Sequence, residues 1–260
     1  MASETQPIYE TGDKPGRHTP PDVRVGFVTK VYGIVFTMLV VTFGITYPFI
    51  FHASAMQAWV KAHSWVIILA ALFLLSQHIL HMCMAAEACL GGSAISEKYL
   101  KMFVTVPFNY IYLGIYSVSM GFLVGFICAA YTATSVCFVF ALTAFIIAGL
   151  TYYAYRTKCD FTDMGAYIFV AVLALFGMGI LGLFFPVGSL FHRIIAAFGA
   201  MIFGFIIVYD TQKIFGEASH TGERKIQFTL DMYAFAAFEL YLDFINFFLY
   251  MLQLLGDRSD

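Results

Sequence analysis

The chain has 260 residues, 61% of them hydrophobic and only 12% charged, with a net charge of −2. A mean hydropathy of +0.82 is more than the surface of a water-soluble domain of this length tolerates. The small net charge and dispersed basic residues exclude an electrostatic nucleic-acid binder, so the composition is that of an integral membrane protein.

Residues 1–26 are polar and carry four prolines within MASETQPIYETGDKPGRHTPPD. They read as a disordered cytosolic N-terminal tail without a cleavable signal peptide, so the first span must itself direct insertion. Residues 27–258 read as one seven-helix transmembrane domain, with apolar runs near 28–50, 64–86, 107–127, 131–154, 164–185, 190–212 and 232–255. Each is close to the roughly 20 residues that a helix needs to cross a bilayer. Pro48, Gly91-Gly92, Pro107, YRTKCDFTD, Pro186-Val187-Gly188 and GEASHTGERK punctuate them. Runs this long exclude a β-barrel, whose strands alternate over about ten residues. The fold class is therefore an all-α membrane bundle, with no compositional boundary for a second domain.

Lys14, Arg17, Arg24, Lys30, Lys98, Lys101, Arg156, Lys158, Lys213, Arg224 and Lys225 fall on one side of this layout, against Lys61, Arg193 and Arg258 on the other. The positive-inside rule then places the N-terminus in the cytosol. A seventh segment that re-entered as a hairpin would return the C-terminus to that side. The five cysteines form no CxxC pair and read as small apolar side chains rather than a disulfide framework.

In the second span His78 and His81 share a face, while Glu87 falls nearly opposite, which suits hydrogen-bonded packing or a pore lining better than a metal site. Gly121 and Gly125 form a GxxxG that favours close helix packing within one chain. Asp210, in GFIIVYDTQ, and Asp243, in ELYLDFINFFLYMLQLL, are acids inside apolar helical runs. An ionised carboxylate there costs roughly 2.5 to 3.5 kcal/mol on insertion scales, so each is a candidate functional residue. Glu239, Asp243, Asn246 and Tyr250 continue one polar face of the seventh span, which must face protein or water. If Asp210 and Asp243 meet, both cannot be ionised in a low-dielectric site, and the pair titrates as a unit. Protonated, it is a hydrogen bond joining two helices. Deprotonated, it repels itself and offers hard oxygen ligands suited to Ca²⁺. The competing reading is that each acid bonds a neighbouring helix end or hydroxyl.

The YDTQ closing the sixth span, the LYLDFINFFLYMLQLLGDR of the seventh, PFNYIYLGIYS and FLVG in the third, and TKCDFT before the fifth together resemble the transmembrane BAX inhibitor motif family, and within it the Lifeguard branch. The resemblance implies a seven-helix bundle with a central last helix, and a di-aspartyl pH sensor matching Asp210 and Asp243. It also implies a Ca²⁺ leak from an intracellular store that protects cells from death. The sequence departs from the pattern before the third span, where an arginine-rich stretch is replaced by EKYLKMFVTVP, and in the second span, which has Glu87 but no arginine. No basic partner for the acid pair is assigned on this basis.

The function expected from residues and resemblance is a pH-sensitive Ca²⁺-permeable channel or leak that lowers store Ca²⁺ and inhibits apoptosis. Asp210 and Asp243 would be gate and Ca²⁺ site, with Glu239, Asn246, Tyr250, Glu87 and His78 as pore-lining or supporting groups. The alternative is a non-conducting scaffold that binds receptors or apoptotic regulators. Endoplasmic reticulum or Golgi is the expected membrane, ahead of other endomembranes or the plasma membrane. The protein is expected to be a monomer that needs no cofactor, with Ca²⁺ only as transported or bound ion. Catalysis is not expected, since no Ser/His/Asp arrangement, GxSxG, Walker or HExxH motif occurs, and the paired acids lack the GxGD context of intramembrane hydrolysis.

Overall fold

The computed structural model describes residues 9–11, 20–90, 94–184, 189–219 and 224–259. Helices α1 (Pro21–Phe51), α2 (Ala53–Ala62), α3 (Ser64–Leu90), α4 (Ala94–Val104) and α5 (Phe108–Cys128) are followed by α6 (Ala133–Arg156), α7 (Gly165–Phe184), α8 (Ser189–Phe215) and α9 (Tyr233–Leu255). A two-stranded antiparallel pairing joins β1 (Tyr9–Thr11) to β2 (Ile226–Phe228), with Glu10 opposite Gln227.

Among the described residues seven helices are long and apolar enough to cross a membrane: Asp22–Phe51, Ser64–Met84, Phe108–Cys128, Ala133–Arg156, Thr162–Gly182, Leu190–Phe215 and Leu230–Leu255. The fold is the expected multi-helix membrane bundle. α9 is one unbroken helix of 23 residues, about 35 Å long at 1.5 Å per residue, so its segment does not double back as a hairpin. α2 and α4, at 10 and 11 residues, are too short to span. α4 buries Tyr99, Leu100 and Phe103 and exposes Glu97, Lys98 and Lys101, the two-sided pattern of a helix lying along an interface.

The helices form two compact units where composition marks no boundary: one of the described residues up to Ile34 with Phe140–Leu254, the other of Val35–Val139 with the residues from Leu255. In the second unit the GxxxG packs within the chain. A Cβ at Gly121 would lie 2.8 Å from the Cβ of Ile45, and one at Gly125 would lie 2.6 Å from the Phe49 ring. That closeness lets Thr42 and Thr46 donate to the carbonyls of Ser117 and Gly121, both at 3.2 Å.

In the first unit, α7 presents Tyr167, Val170, Leu173, Phe176 and Leu181 outward, a face that lipid solvates and water does not. α9 is its opposite, 72% buried along its most apolar stretch against 6% for the span containing α7. The sequence places the transmembrane domain from residue 27, with a disordered tail before it. Residues 1–8 and 12–19 of that tail lie outside the described residues; of the rest, Tyr9–Thr11 pair with β2, and α1 opens at Pro21. Arg24 is therefore a helical residue rather than part of a polar tail.

Candidate functional site

α8 and α9 run antiparallel in close contact. Gly199 lies against Tyr250 and Gly204 against Phe247, while further along α8 Asp210 meets Asp243 and Lys213 meets Glu239. Positions rise on one helix as they fall on the other. Glycine permits this approach at position 199, where a Cβ would stand 2.5 Å from Cδ1 of Tyr250, while a Cβ on Gly204 would make an ordinary 3.5 Å contact with Cε2 of Phe247.

At the α9 N-terminal end of this contact the acids converge. Asp210 and Asp243 are each 5% exposed, and their carboxyl groups lie within hydrogen-bonding reach of each other. A bond between two carboxyls requires that one carry the proton, since an ionised carboxylate only accepts. With both ionised, no donor among the described residues reaches Asp243 Oδ2. The question left open by the sequence, whether the two acids meet, is thus answered by the α8–α9 register.

The sequence did not identify the third partner. Lys213 Nζ donates to Asp210 Oδ1 at 3.0 Å and stands 3.6 Å from Glu239 Oε2, with its side chain 3% exposed. The ammonium also lies 4.3 Å from the ring centroid of Phe228 and 4.7 Å from that of Tyr209, distances at which the ring face attracts a cation. The signal for it in the sequence is the Asp210–Lys213 spacing, since residues three apart on a helix share a face, but Lys213 also stands among the basic residues that orient the chain.

A rigid frame holds this end of α8. Arg24, fully buried on α1, donates from Nε to the Ile214 carbonyl at 3.1 Å, from Nη2 to the Lys213 carbonyl at 2.7 Å and from Nη1 to the Phe228 carbonyl at 2.6 Å. It occupies carbonyls that the last helical turn leaves without intrahelical donors, where a positive charge also suits the helix dipole. The chain then turns at Gly216 with φ +49°, where a Cβ would overlap Gln227 Oε1. The α6–α7 connection is clipped to the same end. Gln212 accepts from the Phe161 amide and donates to the Cys159 carbonyl, both at 2.8 Å, and Arg224 donates to the carbonyls of Thr157 and Cys159 at 2.8 and 3.0 Å. Asp160 accepts from the Lys225 amide at 2.9 Å and from the Thr162 amide at 3.0 Å. Partial burial works to raise the Asp160 carboxyl, but these donors and the Arg224 charge outweigh it and hold it below the ordinary carboxylate range.

The remaining expected residues are placed as follows. Tyr250 packs on Gly199 and stacks on Phe203 at 5.6 Å, away from the acids on the same helix. Asn246 turns Nδ2 back to the Leu242 carbonyl at 2.9 Å. His78, in the other unit, places Nδ1 2.8 Å from the Leu74 carbonyl of its own helix. The Glu87 side chain lies outside the described residues. Among the described residues no three His, Cys, Asp or Glu side chains are grouped to hold a metal ion. The cluster is accordingly a carboxyl pair with an ammonium beside it rather than a closed cage of ligands.

The sequence profile of the family described as inhibitor of apoptosis-promoting Bax1 matches residues 24–260. The chain belongs to that family. It is 29% identical to human Protein lifeguard 3 over 94% of this chain and 73% of the relative, and 28% identical to Protein LIFEGUARD 2 of Arabidopsis thaliana over 98% and 95%. Protein LIFEGUARD 4 of the same plant is 29% identical over 90% of this chain and 85% of its own. The chain is thus a multi-pass membrane protein of a family described as restraining apoptosis.

Proposed function

We propose that this protein is an acid-sensitive Ca²⁺ leak of an intracellular membrane, endoplasmic reticulum or Golgi, that lowers store Ca²⁺ and thereby restrains cell death. The observation that supports this reading is the meeting of the Asp210 and Asp243 carboxyls, buried between two spanning helices. When they share a proton, a hydrogen bond ties α8 to α9. When both are ionised, they repel and expose oxygens of the hard type that coordinates Ca²⁺. Glu239 adds a third acid on the same side of α9, and α8 with its Lys213 end faces the cytosol by the distribution of basic residues. Ca²⁺ is cargo in this reading, and the residues that handle it are the chain's own.

The deciding experiment is Ca²⁺ flux into liposomes carrying the purified protein across a pH series. Flux should fall as pH is lowered in the unaltered chain, and Asp243→Asn should flatten that dependence. An unchanged pH profile in Asp243→Asn would overturn the sensor, and absence of flux at every pH would leave the scaffold reading in its place.

A further inference from the structure

Lys213 carries an inference that rests on the acid cluster being a cation site, the reading just given. A lysine is unusual company for residues meant to receive a divalent cation, because its charge competes for the same oxygens. Here the ammonium is placed as such a cation would be. It lies 3.0 Å from Asp210 Oδ1 and 3.6 Å from Glu239 Oε2, so it bridges an acid of α8 and an acid of α9. The neighbouring carboxyl, Asp243, offers Oδ2 without a donor among the described residues and is 5% exposed.

The surroundings also give the ammonium somewhere to go. Where it stands, the ammonium already touches the ring faces of Phe228 and Tyr209, at 4.3 and 4.7 Å, and the Tyr209 hydroxyl, so displacement toward these two side chains would keep the charge partly compensated. Arg24, by contrast, is fixed on backbone carbonyls and cannot take this part. The buried Asp210 and Asp243, with the part-buried Glu239 beside them, would be destabilised without a positive neighbour. The lysine therefore stabilises the cluster whenever no other cation is bound.

We propose that Lys213 is a tethered occupant of the cation position, displaced onto the Phe228 and Tyr209 rings when a divalent cation enters, so that it weakens divalent binding and shortens each ion's stay. A permeation site benefits from this, because an ion held tightly by the buried carboxyl pair would be slow to leave.

The test measures Ca²⁺ affinity of the full chain in lipid nanodiscs at neutral pH by equilibrium ⁴⁵Ca²⁺ binding. Lys213→Met should bind Ca²⁺ at least about tenfold more tightly than the unaltered chain, since one competing unit charge at contact distance is ample for that factor. Its thermal unfolding midpoint should be lower than normal in chelator and rise further on Ca²⁺ addition than that of the unaltered chain. Lys213→Arg, whose planar fork grips two carboxylates more firmly, should bind about threefold more weakly, and it decides the matter where Lys213→Met does not stay folded. Equal affinities in all three chains, with Asp243→Asn still abolishing binding, overturn the tethered occupant and leave the leak reading standing. Binding that Asp243→Asn does not alter, or no binding in any chain, overturns the acid pair as a cation site and the occupant with it.

Discussion

The guanidinium of Arg24, near the start of α1, donates to the backbone carbonyl of Lys213 at 2.7 Å. The residue that bears the ammonium of the acid cluster is therefore positioned through its backbone by a helix distant in sequence. The same side chain reaches the carbonyls of Ile214 and Phe228 and lies 4.7 Å over the Phe27 ring. Arg24→Met removes these donors together and leaves buried acceptors unsatisfied, at a cost of about 3 kcal/mol. Thermal unfolding in detergent should show a large drop for Arg24→Met and a smaller one for Arg24→Lys, which retains a charge and up to three donors. A midpoint within a degree or so of the parent for Arg24→Met would contradict this account.

The contact of Gly199 with Tyr250 predicts a compensating pair. Gly199→Ala places a methyl 2.5 Å from the Tyr250 ring and should cost about 1 to 3 kcal/mol as overpacking. Tyr250→Ala removes the obstacle, so the double variant should be more stable than the sum of the singles implies, by about 1 kcal/mol. Strict additivity in a double-mutant cycle would mean that the two helices do not meet here as described.

The clip made by Asp160 predicts local acid sensitivity. Because its carboxyl titrates lower in the folded chain than in the unfolded one, its contribution is full above the unfolded value near 3.9 and is lost as pH falls through the folded value. Amide hydrogen exchange at Lys225 and Thr162, both donors to Asp160, should stay slow from neutral pH down to that range and quicken only below it, after correction for the intrinsic rate. Quickening already between neutral pH and pH ~5 would show that another group governs the clip.

The long-range plan of this chain was readable because a bilayer leaves few options: runs of about 20 apolar residues become helices, and a polar stripe on one of them must face inward. Hence the seven spans, the buried α9 and the candidacy of Asp210 and Asp243. The structure adds what spacing alone could not supply. Whether two acids on consecutive helices touch depends on register, and α8 meets α9 in a register in which only a glycine at 199 leaves room for the Tyr250 ring. Arg24 and Lys213 escaped notice for a different reason. In a sequence, charges near span ends mark sidedness, whereas both of these side chains are buried, one on backbone carbonyls and one between carboxylates. The pairing of β1 with β2 joins short segments far apart in sequence, and neither carries a strand pattern long enough to detect.

The contrast in burial between the span containing α7 and α9, 6% against 72% along their most apolar stretches, bears on how this chain tolerates change. α7 answers mainly to lipid, which requires only that a residue be apolar and does not distinguish leucine from phenylalanine or isoleucine by shape. α9 answers to neighbouring side chains on nearly every turn, where a single methylene matters. A saturation library should therefore accept apolar exchanges freely along α7 and reject them along most of α9. A membrane-soluble photoreactive probe should mark α7 heavily and α9 hardly at all.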